Sequence, residues 1–238
     1  MANTHGVLLT WLGHAAFRVR SGGKLFYIDP FLSGNPKCPD AEKQPSEADA
    51  ILLTHGHSDH MADAARLAQK SGAKLVAIVE LGGYMVGQGV PADQVVAMNK
   101  GGTVEVAGAK ITMVPASHTS SNERDGVQVY LGEAVGYVIE FVEGLRLYVS
   151  GDTCVFGDMR LIAEMYHPEL AILPIGGFYT MDPKQAAVAC RLLGVPAVIP
   201  DHYGTWPVLA GTPADLMREL AAAGTPCEVV TLQPGQTL

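Results

Sequence analysis

Seven residues, Thr54-His55-Gly56-His57-Ser58-Asp59-His60, constrain this chain more than any other part of it. They pack three imidazoles and a carboxylate into one short segment, a dense set of metal-ligating groups. On an extended backbone His55 and His57, two apart, project to the same side. The apolar run Ala50-Ile51-Leu52-Leu53 before them reads as a buried strand that delivers them. Ser58 reads as the cap of a helix running through Met61, Ala64, Ala65, Leu67 and Ala68. Asp59 and His60 then fall in its first turn, where the positive end of the helix favours an ionised carboxylate and a neutral imidazole. Those are the forms that bind metal. A solvated histidine-rich turn is the bland alternative, but it lacks the rigid strand-loop-helix support that a metal site requires.

Three more candidates stand directly after apolar strands. His118 follows Ile111 to Ser117, Asp152 follows Leu147 to Gly151, and His202 follows Val198 to Asp201. Strand ends beside loops are where α/β proteins collect functional groups, because the sheet holds them rigidly and the loop leaves them accessible. Singly, each could be a satisfied buried polar residue; together they make a ligand set. His55, His57, Asp59, His60, His118, Asp152 and His202 are too many for one catalytic ion, which takes three protein ligands and a water. They suit two divalent ions with Asp152 bridging. Nitrogen and oxygen donors without sulfur suit zinc, manganese, iron or nickel and do not choose among them; zinc is the expected ion.

The rest of the chain agrees with such a site on a sheet-rich scaffold. Short β-rich runs at 7–12, 16–20 and 24–28 are separated by glycine-containing turns. Further strands are expected at 74–79, 94–98, 103–106, 110–114, 135–141 and 145–149. The last third alternates: helices over 158–166, 183–193 and 213–223, with strands at 170–173, 197–199 and 228–232. Thr212-Pro213 is a strong helix start. Hairpins first and βα units later predict α/β sheets covered by helices. Apolar residues are 48% of 238, enough for a sizeable core, and no linker-like stretch divides residues 1–238, so one domain is expected.

At these residues the chain resembles the metallo-β-lactamase superfamily, whose signature is H-x-H-x-D-H followed by scattered His, Asp and His. Ile28-Asp29-Pro30 is similar to that superfamily's first motif, an Asp at a strand end that supports the site. Leu12 to Phe17, Phe156 to Met159, Leu173 to Gly177 and His202 to Pro207 resemble the UlaG-like branch, which holds L-ascorbate-6-phosphate lactonase and uncharacterised metal-dependent hydrolases. The resemblance implies a four-layer αββα sandwich with metals at one edge. It also implies that His55, His57 and His118 hold one ion and Asp59, His60 and His202 the other, with Asp152 between them. Asp182 and Asp201 depart from the pattern and bear on the charge of the pocket.

The expected chemistry is hydrolysis: a metal-bound water ionises near neutral pH, and its hydroxide attacks an ester or lactone carbonyl, or the phosphorus of a phosphoester. Asp59 is the candidate to orient that water and take its proton. His14, after the first strand, is the candidate to support the site or protonate the product, unless it is only a buried structural histidine. Ser120, Ser121, Tyr179, Asp182, Tyr203 and Trp206 are candidate substrate contacts, Arg124 reads as part of a solvated loop, and Cys154 as a buried inert thiol. A net charge of -8 with 16 basic residues weighs against nucleic acid as partner. It leaves room for a small substrate, an anionic one included, since metals bring positive charge. A nuclease of the same superfamily and a non-catalytic metal-binding protein are the competing readings. Four cysteines without a C-x-x-C pair and no long apolar segment predict a cytoplasmic protein that does not enter a membrane; a homo-oligomer is expected.

Overall fold

Alternating apolar residues build two sheets whose inner faces meet. In this computed structural model, which describes residues 2–238, the first sheet holds six strands in sequence order. They are β1 (Leu8–Trp11), β2 (Phe17–Ser21), β3 (Lys24–Ile28), β4 (Ala50–Leu52), β5 (Lys74–Ile78) and β6 (Val95–Met98). The first three pair antiparallel and the last four parallel. The chain then makes β7 (Thr103–Val106), β8 (Ala109–Pro115), a separate hairpin of β9 (Ser121–Arg124) and β10 (Val127–Tyr130), and β11 (Val135–Glu140), β12 (Arg146–Val149), β13 (Leu170–Pro174), β14 (Ala197–Asp201) and β15 (Glu228–Val229). The second sheet runs β15-β14-β13-β12-β11-β8-β7, again antiparallel at one end and parallel at the other.

The period of two is visible in what each side chain buries. In the second sheet Tyr137, Ile139, Leu147, Val149, Ile172 and Ile199 join the main core with the first sheet. Their neighbours Val138, Tyr148, Ala171, Leu173 and Val198 join a second core beneath α4 (Met159–Tyr166), α5 (Pro183–Leu193) and α6 (Pro213–Ala222). On the far side of the first sheet lie α1 (Ser58–Met61), α2 (Ala64–Ser71) and α3 (Val79–Gly87); α2 buries Ala64, Leu67 and Ala68, and α3 packs on β5 and β6. The result is an α/β sandwich of helices, sheet, sheet and helices. The Tyr137 hydroxyl crosses the interface and donates to the Leu53 carbonyl at 2.7 Å, tying the second sheet to the strand that carries the histidines. Among the described residues no helix is long and apolar enough to cross a membrane.

The structure corrects several sequence expectations. His57, in extended conformation, stands before the first turn of α1, and Ser58 lies inside that turn with no capping hydrogen bond from a side chain. The predicted helix is broken at Asp63, whose carboxylate accepts from the Leu32 and Ser33 amides at 2.8 Å each while its own N–H donates to the Pro30 carbonyl. The sequence offered no element between the strands at 74–79 and 94–98, yet α3 forms there. A Cβ on Gly82 would stand 3.0 Å from Val95 Cγ1, so the glycine serves close helix-sheet packing. The β9–β10 hairpin carries polar residues on its first strand and so lacks a buried alternation. Its signal was Asp125-Gly126, both at positive φ, a hairpin turn pair. The final strand is shorter than predicted, and the chain end instead pairs with β1 through Leu9 and Leu238. The α6 start is as expected: Thr212 and Asp215 bond reciprocally as a capping box.

Candidate metal centre

Every candidate ligand hangs from the C-terminal end of a strand or the loop that follows it. β4 leads to His55, His57, Asp59 and His60, β8 to His118, β12 to Asp152, and β14 to His202; β1 and β3 lead to His14 and Asp29. These ends meet where the two sheets adjoin. The turns are tight: His14, Asp29 and His202 all have positive φ (56°, 45° and 52°), a region L side chains enter at a cost. Gly151, at φ 58°, lies so close to Thr54 that an added Cβ would stand 2.6 Å from the threonine Cβ. Gly151→Ala is therefore expected to lower stability by about 2 kcal/mol or more, from backbone strain plus overpacking, as read by urea denaturation. A wild-type midpoint would contradict the close approach.

Asp152 sits at the centre. Its Oδ1 is 3.3 Å from His60 Nε2, and its Oδ2 is 3.2 Å from His202 Nε2, 3.6 Å from His118 Nε2 and 3.9 Å from His55 Nε2. On one side His55 Nε2 and His57 Nδ1 converge at 2.9 Å. On the other, Asp59 Oδ2 lies 3.8 Å from His202 Nε2 and 3.0 Å from His14 Nε2. Ligand atoms of His55, His57, His118 and Asp152 fall within 4.8 Å of one another, as do those of His14, Asp59, His60 and His202. His60 Nε2, Asp152 Oδ1 and both ring nitrogens of His202 are buried with no hydrogen bond. Buried polar atoms without partners cost about 1–3 kcal/mol each. Their convergence, and a donor set of imidazole and carboxylate, fit divalent cations at this place.

Electrostatics prepares the ligands. Burial alone would raise the Asp152 carboxyl, but the charges of His202 and His60 outweigh it and hold it well below the usual range. Asp59 is likewise below its ordinary value, because the bond from His14 and the charge of His60 overcome its burial. Burial pushes His55 well down and His14 to about 4, so both rings are neutral at pH 7. His60 moves the other way: burial disfavours its charge, yet Asp152 and Asp29 flank the ring and raise it. A cation would replace that proton, so metal uptake should release it.

Asp29 fixes His60 from behind. It accepts from His60 Nδ1 at 2.8 Å, from the Thr54 amide at 2.8 Å and from the Thr54 hydroxyl at 2.6 Å, which turns His60 Nε2 toward Asp152. His14 is anchored by Thr205 Oγ1, 2.9 Å from Nδ1. Thr54 and Thr205 were missed in the sequence. Each adjoins a motif residue, and only the fold shows which buried carboxylate or ring its hydroxyl meets.

The centre opens to a cleft of about 560 Å³ whose lining includes Asp59, His118, Tyr179, Trp206 and Val208. A neighbouring cavity of about 480 Å³ shares His57, Ser58 and Asp59 and reaches Ser121, Asn122 and Glu123. The other substrate candidates lie apart from both. Ser120 is buried and bonds to the Gly56 amide and the Leu131 carbonyl. Tyr203 stacks on Trp11 at 5.2 Å, and Asp182 caps α5 by accepting from the Gln185 amide. Arg124 is exposed beside Asp125, as a solvated turn would be. Cys154 is exposed, not buried, since the loop after Asp152 leads it outward.

Asp201 is buried behind His202, and burial pushes its carboxyl up to about 8. The unfolded carboxyl ionises from about pH 4 upward while the folded one keeps its proton, so this residue lowers stability progressively between pH 4 and 8. Above pH 8 the loss levels off. In chelator-treated protein Asp201→Asn should be more stable than wild type by at least ~1 kcal/mol at pH 8, and by much less at pH 4, in urea melts. Equal gains at both pH values would contradict the shift.

Comparison with known proteins agrees with this site. The family model described as "Beta-lactamase superfamily domain" matches residues 25–203, so the fold and the class of site are those of the metallo-β-lactamase superfamily. A "UPF0173 metal-dependent hydrolase" of Herpetosiphon aurantiacus is 49% identical over 99% of this chain and 98% of its own. One from Methanopyrus kandleri is 49% identical over 96% and 98%. The solved structure of Igni18, a metallo hydrolase from Ignicoccus hospitalis, superposes with a TM-score of 0.85 at 34% identity, covering 98% of this chain and 97% of that one. The chain belongs to the UPF0173 metal-dependent hydrolases.

Proposed function

We propose that this chain hydrolyses an ester, lactone or phosphoester of a small molecule at a centre of two divalent ions, zinc first among them. The observation that carries the reading is the meeting of seven imidazole and carboxylate side chains, several of them orphaned, at the base of a cleft. His55, His57 and His118 would hold one ion, Asp59, His60 and His202 the other, with Asp152 between them. Bound ions would supply a water acidic enough to ionise near pH 7 and positive charge for a developing oxyanion. Asp59, 27% exposed where Asp152 is 4% exposed, is the carboxylate able to face an attacking water and take its proton. His14 holds that carboxylate in place through Nε2 and is itself fixed by Thr205. The net charge of -8 and the absence, among the described residues, of Lys or Arg from the lining of either cavity favour a small substrate over RNA.

The test is metal analysis of the purified protein followed by a panel of lactones, carboxylic esters and phosphodiesters. Turnover of at least one class, abolished by chelation and restored by zinc or manganese, is the expected result. Full metal occupancy with no turnover of any class would point instead to a binding protein.

A further inference from the structure

The two cavities that flank the centre are chemically unlike. They join at His57, Ser58 and Asp59, so a substrate whose reacting bond lies there extends one arm into each. One wall is apolar: Tyr179, Trp206 and Val208 are 58%, 37% and 47% exposed, although large hydrophobic side chains usually withdraw from water. Trp206 is held on its inner side by the ring of His14, which meets it edge-on at 4.9 Å, and by Phe31 at 6.3 Å. Tyr179 meets the exposed Phe178 ring edge-on at 4.7 Å, which widens the aromatic surface. An exposed aromatic face anchored at Trp206 binds a flat apolar group with reduced ordering cost. The opposite wall is polar and acidic, with Ser121, Asn122 and Glu123.

Neither wall carries a lysine or arginine among the described residues. Recognition of a phosphate or carboxylate relies on such cations or on a helix N-terminus. The helix start that borders the cleft is α1, one turn long, with the negative Asp59 carboxylate within that turn. A second anionic group on the substrate would find no side-chain cation there to offset the Glu123 charge on one side or the aromatic wall on the other.

Resting on the hydrolase reading above, we propose that the substrate carries an aryl-sized apolar group next to the scissile bond and no anionic group remote from it. A neutral or cationic polar group faces Glu123. This sets the chain apart from an enzyme for a phosphorylated lactone, whose phosphate needs a cationic subsite.

The test uses three lactones on the metal-loaded protein: γ-butyrolactone, its γ-phenyl derivative and its γ-phosphooxymethyl derivative. The phenyl compound should exceed the parent in kcat/KM by tenfold or more, and the phosphorylated one should fall below it. Trp206→Ala and Val208→Asp should each bring the phenyl-to-parent ratio close to one, chiefly through KM. Glu123→Lys should raise the phosphorylated-to-parent ratio severalfold. Independently of turnover, 2-acetylnaphthalene, a ketone with no bond to hydrolyse, should quench tryptophan emission saturably in wild type and lose that quench in Trp206→Phe. Preference for the phosphorylated lactone, or no saturable quench, overturns the proposal while leaving the hydrolase reading intact. Saturable quenching with no turnover of any ester sustains the proposed wall and sinks the hydrolase reading instead.

Discussion

Asp152→Asn is expected to reduce bound metal from two ions per chain to at most one and to cut turnover by roughly 10³-fold, beyond the 10–100-fold typical for loss of a group that only supports a ligand. The reason is position. Asp152 is the carboxylate within 3.9 Å of His55, His60, His118 and His202 together, so both halves of the centre share it. The amide keeps the shape of the side chain but supplies one neutral oxygen where two anionic ones stood. In chelated protein the same change removes the negative charge that balances His60 and His202, and about 3 kcal/mol of stability should go with it at pH 7, where a buried charge loses its partner. Metal analysis and urea melts read the two effects separately. Two ions retained at wild-type affinity would remove Asp152 from the bridge.

Asp29→Ala should have the second largest effect, and for a different reason. This carboxylate touches no reacting group; it accepts three hydrogen bonds in a fully buried setting, from His60 Nδ1, the Thr54 amide and the Thr54 hydroxyl. Removing it strands all three donors, a loss on the order of 3–5 kcal/mol for a broken buried charged network. It also frees His60 to rotate away from Asp152, so metal affinity should fall 10–100-fold in whatever fraction stays folded. Asp29→Asn separates the two effects. It keeps one acceptor and most of the packing, so it should fold while still binding metal weakly. An Asp29→Asn protein with unchanged metal affinity would show that the orientation of His60 does not depend on this carboxylate.

How much of this was written in the sequence depends on how local each signal is. The heptapeptide and the residues after β8, β12 and β14 were legible because strands announce themselves by apolar runs and ligands by residue type. Their meeting is a property of topology. The C-terminal ends of parallel-running strands share one sheet edge, so each strand end contributes to one place. Tyr179, Tyr203 and Trp206 all read as candidate contacts, but which of them line the cleft and which stacks on Trp11 was not legible, because aromatic residues in a sequence look the same whether they fill a core or line a cleft. Asp182 and Asp201 illustrate the converse. Both read as pocket charges, yet one caps a helix and the other is buried behind His202, and only three-dimensional neighbours distinguish these fates. The divided helix after His57 was hidden because Asp63 serves the loop at 30–33, thirty residues earlier in the chain.

The most direct test of the central claim is metal content per chain in wild type, His118→Ala and His202→Ala, measured by mass spectrometry on folded protein after exhaustive dialysis. Two ions in wild type and one fewer in each variant is the predicted result. Wild-type metal content in both variants would mean that these rings, brought from opposite halves of the second sheet, do not meet around a common pair of cations.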